Sequence, residues 1–348
     1  MTYLKNIKLA NFRSYKGRGF NFSKGVNLIV GPNGSGKTNI LEAIYVLGMS
    51  KGFRGSSEQM CRDQDNWFRV EGEFNNSETS KVAISYQDGE KKIVVNDKKL
   101  LPSEYIGLIP LVLFEPNSLS LVGGAPAIRR QWIDRVLSLT NKEYLRSLMK
   151  YRKVLTQRNA LLRRSNVAKD QIFAWDVIMS EYGEYVVTKR REFLEEISPL
   201  FSNYYQQISK SKDQLEIEYK SNIDASSNYR DELLSQLQIR VIRDSRMGGA
   251  SVGPHRDDID LKYNHKALSQ YGSRGEYRTA VLAMVLAELE YLKKDSSNSS
   301  PILLLDDVLS ELDKNRAKAL LEATSDVQTI ITSTHTLEGL GKHDRIDL

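Results

Sequence analysis

Apolar and polar residues alternate along Tyr3–Asn11, the period of a half-buried strand, and Val26–Val30 is a short apolar run that stops at Gly31. From Thr38 to about Met49 the spacing is that of a helix. Trp67–Phe74, Lys81–Tyr86 and Lys91–Val95 alternate again, with turns at Asp88-Gly89 and Asn96-Asp97, and read as antiparallel strands. Pro110–Phe114 is another short apolar run. Beyond Gly123-Gly124 the period lengthens: Ile128, Trp132, Val136 and Leu139, then Tyr144, Leu148, Tyr151 and Leu155, recur every three or four residues. Long helices are expected from about Pro126 to Arg164 and from Asp170 to Lys210, with Pro199 kinking or ending the second. Leu215–Tyr219 reads as a strand, Asn228–Arg246 as helix and Ile259–Tyr263 as a strand. A helix from about Glu276 to Lys294, the strand Ile302–Asp306, the helix Lys314–Ala323 and the strand Thr329–Thr332 follow.

A chain of 348 residues exceeds one small core and predicts two domains, or one domain with a large insertion. Its 40% hydrophobic and 27% charged residues describe an ordinary globular protein. There is no internal repeat, and no low-complexity tract beyond Ser296–Ser300. No stretch approaches the roughly 20 apolar residues of a membrane helix, and residues 1–17 read as a strand rather than a secretion signal. The single cysteine, Cys61, cannot close an internal disulfide and excludes a Cys-x-x-Cys zinc hook. A cytoplasmic protein without membrane attachment is therefore expected.

The net charge of +6 matters through its distribution. Between Pro126 and Ser165 eleven Lys or Arg face only Asp134 and Glu143, an excess that favours polyanions. Arg129, Arg130, Arg146, Lys150, Arg152 and Lys153 are the foremost candidates for DNA phosphate contacts, with Lys142, Arg158, Arg163 and Arg164 beside them. Such contacts position nucleic acid without reading its sequence, and weaken steeply with salt. The plainer alternative is a solvated helix face, with Arg129-Arg130 bracing the helical region.

Gly31-Pro-Asn-Gly-Ser-Gly-Lys-Thr38 fits G-x-x-x-x-G-K-[ST] and lies between a strand and a helix, the context that separates a phosphate loop from an accidental glycine-rich turn. Glycines let backbone N–H groups turn inward, and the helix N-terminus adds positive potential. Gly31, Pro32, Asn33, Gly34, Ser35, Gly36, Lys37, Thr38 and Asn39 are thus the candidate ATP site, with Lys37 reaching the β- and γ-phosphates and Thr38 offering its hydroxyl to Mg²⁺. The run Ile302–Asp307 ends in two carboxylates. Asp306 is assigned to Mg²⁺ and Asp307 to polarising water, and the shorter reach of Asp307 compared with Glu predicts slow hydrolysis. Asp313 would cap the helix at Lys314 or stand in a D-loop.

Ser269–Thr279 opens a second helix behind Ser and Gly. The Ser273 hydroxyl and the Gly275 N–H would suit another γ-phosphate. Two cradles for one nucleotide predict an ATP-dependent homodimer, each ATP lying between the loop of one copy and the Ser-Gly cap of the other. The fold class that follows is α/β: an ABC-type P-loop ATPase head built from both chain ends, 1–124 and 248–348, with a mostly helical inserted domain, or lever arm, at 125–247.

The chain also resembles the RecF family of recombinational-repair ATPases, which are related to SMC proteins. The resemblance spans essentially the whole chain and rests on several motifs. They are Asn11-Phe-Arg-Ser-Tyr15, Gly31–Asn39 with Leu41-Glu-Ala-Ile44, Phe114-Glu-Pro-Asn117, Pro126 with Arg129-Arg130 and Asp134, Gly253-Pro-His-Arg-Asp-Asp258 and Leu305–Asp313. It implies a weak, DNA-stimulated ATPase that dimerises with ATP on junctions of single- and double-stranded DNA. It further implies work with RecO and RecR to load recombinase at gaps, and a part in SOS induction. It places Arg13 near the nucleotide. The family usually has Gln where this chain has Glu276 and Tyr277, and a carboxylate there would repel phosphate unless it turns away or pairs. His335 is expected to be structural or peripheral, and His255 to serve an interface or domain contact. The rival readings are an ATP-assembled DNA-binding module that does not hydrolyse, and a transporter ATPase subunit.

Overall fold

The computed structural model describes residues 2–63, 65–76, 78–164, 169–224, 228–295, 299–308, 312, 314–335 and 343–348. Along the chain run β1 (Leu4–Phe12), β2 (Tyr15–Asn21), β3 (Val26–Val30), α1 (Lys37–Met49), β4 (Trp67–Phe74), β5 (Lys81–Gln87), β6 (Glu90–Val95), β7 (Lys98–Leu100), α2 (Pro102–Tyr105) and β8 (Leu111–Phe114). Then come α3 (Ser120–Gly123), α4 (Pro126–Thr140), α5 (Lys142–Leu162), α6 (Lys169–Ser209), β9 (Leu215–Lys220), α7 (Tyr229–Ile239) and α8 (Val241–Met247). The last elements are β10 (Asp258–Tyr263), β11 (Lys266–Ala267), α9 (Leu268–Tyr271), α10 (Arg274–Asp295), β12 (Ile302–Leu305), α11 (Lys314–Ala323), β13 (Thr329–Ser333) and β14 (Asp344–Asp347).

The chain forms two compact units. The first comprises Met1–Leu119, Asn203–Lys212 and Arg278–Leu348, the second Ser120–Ser202 and Asp213–Tyr277. The sequence reading placed 248–277 with the C-terminal part of the head. Those residues group instead with the helical middle, because β10 pairs with β9 and Arg129 of α4 grips Asp258.

In the first unit, five parallel strands lie in the order β14-β3-β13-β12-β8, and six antiparallel strands in the order β2-β1-β4-β5-β6-β7. Helix α1 touches strands of both sheets, and Ile40–Met49 are buried without interruption, as expected of a helix enclosed on every side. The central parallel strands are buried too, so they read as continuous apolar runs rather than alternating ones. Register fixes the geometry that matters: Ser333 aligns with Val30, and Leu305 with Ile331. The ends of β3, β13 and β12 therefore meet at one carboxyl edge, where ligands of parallel sheets bind. Strand β14 escapes sequence detection because Asp344–Asp347 is a short charged edge strand. Strand β2 escapes it because Gly17 and Gly19 break its pattern.

In the second unit, the expected helix over 126–164 breaks at Asn141, whose backbone leaves helical geometry while its side chain caps α5 by accepting from Tyr144 N–H. Helix α6, whose residues from Asn203 on belong to the first unit, runs through Pro199 rather than ending there. A helical proline costs about 3 kcal/mol; burial of Ile197, Phe201, Tyr205 and Ile208 along one side offsets it. Tyr151, Val154, Met179, Leu233 and Leu237 form the apolar core. Charges are buried beside it. Arg190 meets Asp134 at 2.9 Å and Pro254 O at 2.7 Å. Arg158 lies between Asp176 and Asp244, all three at most 1% exposed.

His255 belongs to this interior. Its Nδ1 accepts from Tyr151 Oη at 2.7 Å, and its Nε2–H donates to Ala250 O at 3.0 Å. The expected domain contact is thus replaced by bonds within one unit. Burial lowers the imidazole to about 4. The unfolded chain regains an ordinary imidazole near 6.5, so between about pH 6.5 and 4 it binds a proton the folded chain refuses. This site therefore removes stability as pH falls, by about 3 kcal/mol across the window. Urea unfolding at pH 7 and pH 5 should show a flatter pH dependence for His255→Gln than for the parent; equal slopes would refute the assignment.

Candidate nucleotide site and basic helix

Residues Gly31–Thr38 join β3 to α1, and their glycines are sterically required. Gly34 and Gly36 have φ of 83° and 98°, left-handed values that favour glycine. A Cβ on Gly36 would approach Tyr15 Oη to 2.7 Å, and one on Gly31 would approach Ser35 Oγ to 2.7 Å. Gly36 is also the N-cap of α1 and gives it no side-chain cap, so the helix presents its N-terminal dipole to the loop. The Lys37 ammonium is buried and donates to Gly31 O at 2.7 Å and Pro32 O at 2.9 Å. The Ser35 hydroxyl is buried with no hydrogen-bond partner among the described residues. Pro32 and Asn33 are exposed, and Asn39 donates to Ser14 Oγ at 2.9 Å. A tight cradle, an inward lysine and an orphaned hydroxyl fit a triphosphate.

At the carboxyl edge Thr38 Oγ1 donates to Asp306 Oδ1 at 2.9 Å, tying the loop to the acidic strand across 268 positions. Thr332 of β13 donates to the same oxygen at 2.8 Å and accepts the Asp307 N–H at 2.9 Å. Sequence reasoning missed Thr332, whose role is visible only once β13 lies between β3 and β12. Hydroxyl and carboxylate oxygens are the hard donors that suit Mg²⁺. Asp307 sits at φ 52°, a left-handed value that aspartate tolerates better than most residues. Glu115 was missed as well. It follows β8, the neighbour of β12, and burial, reinforced by the nearby charge of Asp306, raises its carboxyl to about 7. The apolar run Leu111–Phe114 and the Phe114-Glu-Pro-Asn117 motif were its sequence signals.

Arg13 takes φ 51° in the turn between β1 and β2. This conformation carries strain for arginine, which points to function when neighbours enforce it. The neighbour is Glu42 of α1, fully buried, which accepts Arg13 Nε at 2.8 Å and Nη2 at 3.0 Å. Arg54, also missed from sequence, donates to Glu42 at 2.8 Å and to Asn39 Oδ1 at 2.7 Å. Burial opposes ionisation of Glu42, but the two arginines prevail and hold its carboxyl below the usual range. Arg13 thus braces α1 immediately behind the loop.

Ser273 and Gly275 stand at the start of α10, in the second unit. Ser273 Oγ accepts the Glu276 N–H at 3.3 Å, and Glu276 Oε2 accepts the Ser273 N–H at 2.6 Å, a reciprocal capping box. The Glu276 carboxylate turns back onto the start of its own helix and is held below its ordinary range by the Ser273 N–H, so the negative charge stays at this helix end, paired with its cap. Tyr277 Oη donates to Ser269 O. His335 is exposed beyond β13, its N–H donating to Ser333 Oγ at 3.2 Å. Asp313 and the rest of the expected D-loop, apart from Leu312, lie outside the described residues.

The basic candidates divide sharply. Arg146, Lys150, Arg152 and Lys153 are exposed on α5; Arg152 also donates to Asp134 at 2.9 Å, and Lys150 lies over the Tyr182 ring at 5.2 Å. Arg129 cannot serve as proposed from the sequence. It is buried, bidentate to Asp258 at 2.8 Å, and donates to Gly124 O at 2.9 Å. Arg158 is withdrawn for the same reason, fully buried between two aspartates. Arg130 donates to Asp257 O at 2.6 Å, which leaves it half-buried and committed in part to the interior.

Comparison with known proteins gives a consistent result. The profile of the RecF/RecN/SMC N terminal domain family matches residues 3–345. The DNA replication and repair protein RecF of Clostridium botulinum strain Alaska E43 is 37% identical over 340 residues, covering 95% of this chain and 93% of the relative. The protein of that name from Agathobacter rectalis is 38% identical over 351 residues, covering 99% and 95%. A solved structure of the recombination mediator protein RecF with ATPrS in the RecFOR pathway superimposes with a TM-score of 0.91 at 33% identity, covering 100% of this chain and 96% of the other. An Smc head domain from Pyrococcus furiosus, at a TM-score of 0.54 and 19% identity over 98% and 91% of the two chains, shares the fold. Among the described residues no helix is long and apolar enough to cross a membrane. With the phosphate loop, the acidic strand end and near-complete coverage by such relatives, the chain belongs to the RecF family of the RecF/RecN/SMC ATPase-type proteins.

Proposed function

We propose that this chain is a slow ATPase of recombinational DNA repair, in which ATP and Mg²⁺ join two copies into a clamp on DNA. The observation that carries the reading is the Thr38–Asp306 hydrogen bond, which brings the loop and the acidic strand together around one set of oxygen donors. Thr38 and Asp306 would hold Mg²⁺, and Gly31–Asn39 the phosphates. Mg²⁺ would supply charge neutralisation at the terminal phosphates. Lys37 would exchange its two carbonyl partners for phosphate oxygens, and Asp307 would orient the attacking water. Arg13, bonded to Glu42, would steady α1 behind the loop.

Ser273 and Gly275 would grip the γ-phosphate of the partner copy. Without ligand the Ser273 hydroxyl accepts the Glu276 N–H and is bonded to the Glu276 carboxylate, so it would turn its proton from that carboxylate to a phosphate. DNA would lie on Arg146, Lys150, Arg152 and Lys153, held by its backbone and not by its sequence. The solved RecF structures with ATP and ATPrS are those of a recombination mediator of the RecFOR pathway, which supports RecO and RecR as partners. Recombinase loading at gapped DNA and a link to SOS induction would follow from the family resemblance alone. Family membership displaces the transporter reading. The non-hydrolysing module differs only in what Asp307 does.

Sedimentation with ATP, ADP and no nucleotide tests the reading directly. The parent chain should dimerise with ATP alone, and Lys37→Ala should remain monomeric; a dimer of unchanged affinity in that variant would contradict it. Asp307→Asn should keep the dimer and lose phosphate release by about 10²-fold or more, whereas loss of ATP binding would show that the side chain does something else. Replacing Arg146, Lys150 and Lys153 by Glu should weaken DNA retention for every sequence and flatten its salt dependence, with ATP affinity unchanged. DNA binding equal to the parent would remove α5 from the interface.

A further inference from the structure

The second unit holds a feature that none of this chemistry uses. A cavity of about 340 Å³ opens between the first turns of α6 and the junction of α7 with α8, lined by Ile172, Phe173, Ile239 and Ile242 with Asp170 and Asp176. Phe173 is 48% exposed, Ile239 71% and Ile242 70%, and Met247 at the end of α8 is 73% exposed. Single exposed apolar residues are ordinary, but several around one concavity mark an interaction site. Among the described residues no cation lines the cavity.

Beneath it lies a charge imbalance. Arg158 is bonded to two buried carboxylates at once, donating to Asp176 Oδ1, and to Asp244 Oδ2 at 3.0 Å. Asp244 Oδ1 also accepts the Ser251 N–H at 3.1 Å, whereas Asp176 Oδ2 is buried with no partner among the described residues. Burial accordingly raises the Asp176 carboxyl despite Arg158. Asp170, exposed at the mouth, adds a second negative charge.

We propose that this cavity docks an amphipathic helix of a partner protein, one that sets apolar side chains against Phe173, Ile239 and Ile242 and points a lysine or arginine towards Asp170 and Asp176. The groove between two helices suits the shape of a third helix, read through apolar anchors one turn apart. Charge complementarity selects the sign, against the grain of a chain whose net charge is +6. Arg243 and Arg246 are exposed on α8 but lie outside the lining, so the polarity of binding decides which charges the partner meets.

The test uses the full chain and two fluorescent synthetic helices with the same leucine face, one flanked by lysines and the other by glutamates. Anisotropy should show the lysine helix binding at least about tenfold tighter, a difference of 1.4 kcal/mol. The double substitution Ile239→Ser and Ile242→Ser, both on the surface, should lose that binding by a similar factor, and Asp170→Lys should erase the preference. Asp176→Asn should weaken the lysine helix alone, with a thermal melt confirming that the variant folds; Asp170→Lys decides the matter if it does not. Equal binding of the two helices, tighter binding of the glutamate helix, or unchanged binding by the double variant would each overturn the proposal. So would self-association of the parent chain that the double variant abolishes, which would give the surface to a second copy.

Discussion

Three strands meet at one carboxylate oxygen. Asp306 Oδ1 accepts a hydroxyl from Thr38, which follows the loop after β3, and another from Thr332 on β13. Asp306 is 7% exposed, so losing either donor would leave a buried acceptor short of a partner, a deficit of about 1–3 kcal/mol. The two hydroxyls also set the geometry of any cation at this edge, because they hold the carboxylate in one orientation before a ligand arrives. The register of the parallel sheet is what lets them meet, since a one-residue slip would turn Thr332 to the opposite face.

The loop and the acidic strand end were legible because their chemistry is local: glycine spacing, a lysine, a hydroxyl and two carboxylates after an apolar run. Most long elements were legible for a similar reason, as their periods of two or three to four persist over many residues. The roles of Thr332 and Glu115 were not, because neither the end of a short strand nor the Phe114-Glu-Pro-Asn117 motif says what the residue faces. They matter only through the strand order β3-β13-β12-β8, which places one between the two motifs and the other beside Asp306. Of the two outcomes that Pro199 allowed, a kink or an end, the end is excluded for a related reason. Local propensity argued for a break, and the burial of Phe201 and Tyr205 beyond it decided otherwise.

Charge was the least legible quantity. A helical region with eleven cations suggested a broad basic face, yet Arg129 and Arg158 are turned inward to aspartates on other elements. Arg190 behaves alike, shared between Asp134, Tyr144 and Pro254. Removing one member of such a buried set costs about 3–5 kcal/mol, because its partner is then left charged and dry. These arginines order the second unit from inside. What remains outside on α5 is narrower than the sequence implied: Lys142, Arg146, Lys150, Arg152 and Lys153 over three turns. A stripe of that width suits a phosphate backbone better than a wide polyanion surface would.

The two helix N-termini assigned to the nucleotide differ in a way that bears on how a clamp would open. Helix α1 begins at a glycine that offers no side chain, and its dipole faces a loop shaped by left-handed glycines, so an anion there meets unfilled donors. Helix α10 begins with a capping box, Ser273 and Glu276 satisfying one another, a motif whose loss costs about 1 kcal/mol. Its first turn is stable without any ligand and brings a carboxylate with it. A phosphate approaching α10 therefore gains less than one approaching α1, because the Ser273 hydroxyl must first turn away from the Glu276 carboxylate. On the proposed reading, this inequality keeps the nucleotide with its own subunit and makes the grip across the dimer the weaker contact, the one that yields first when the γ-phosphate is lost.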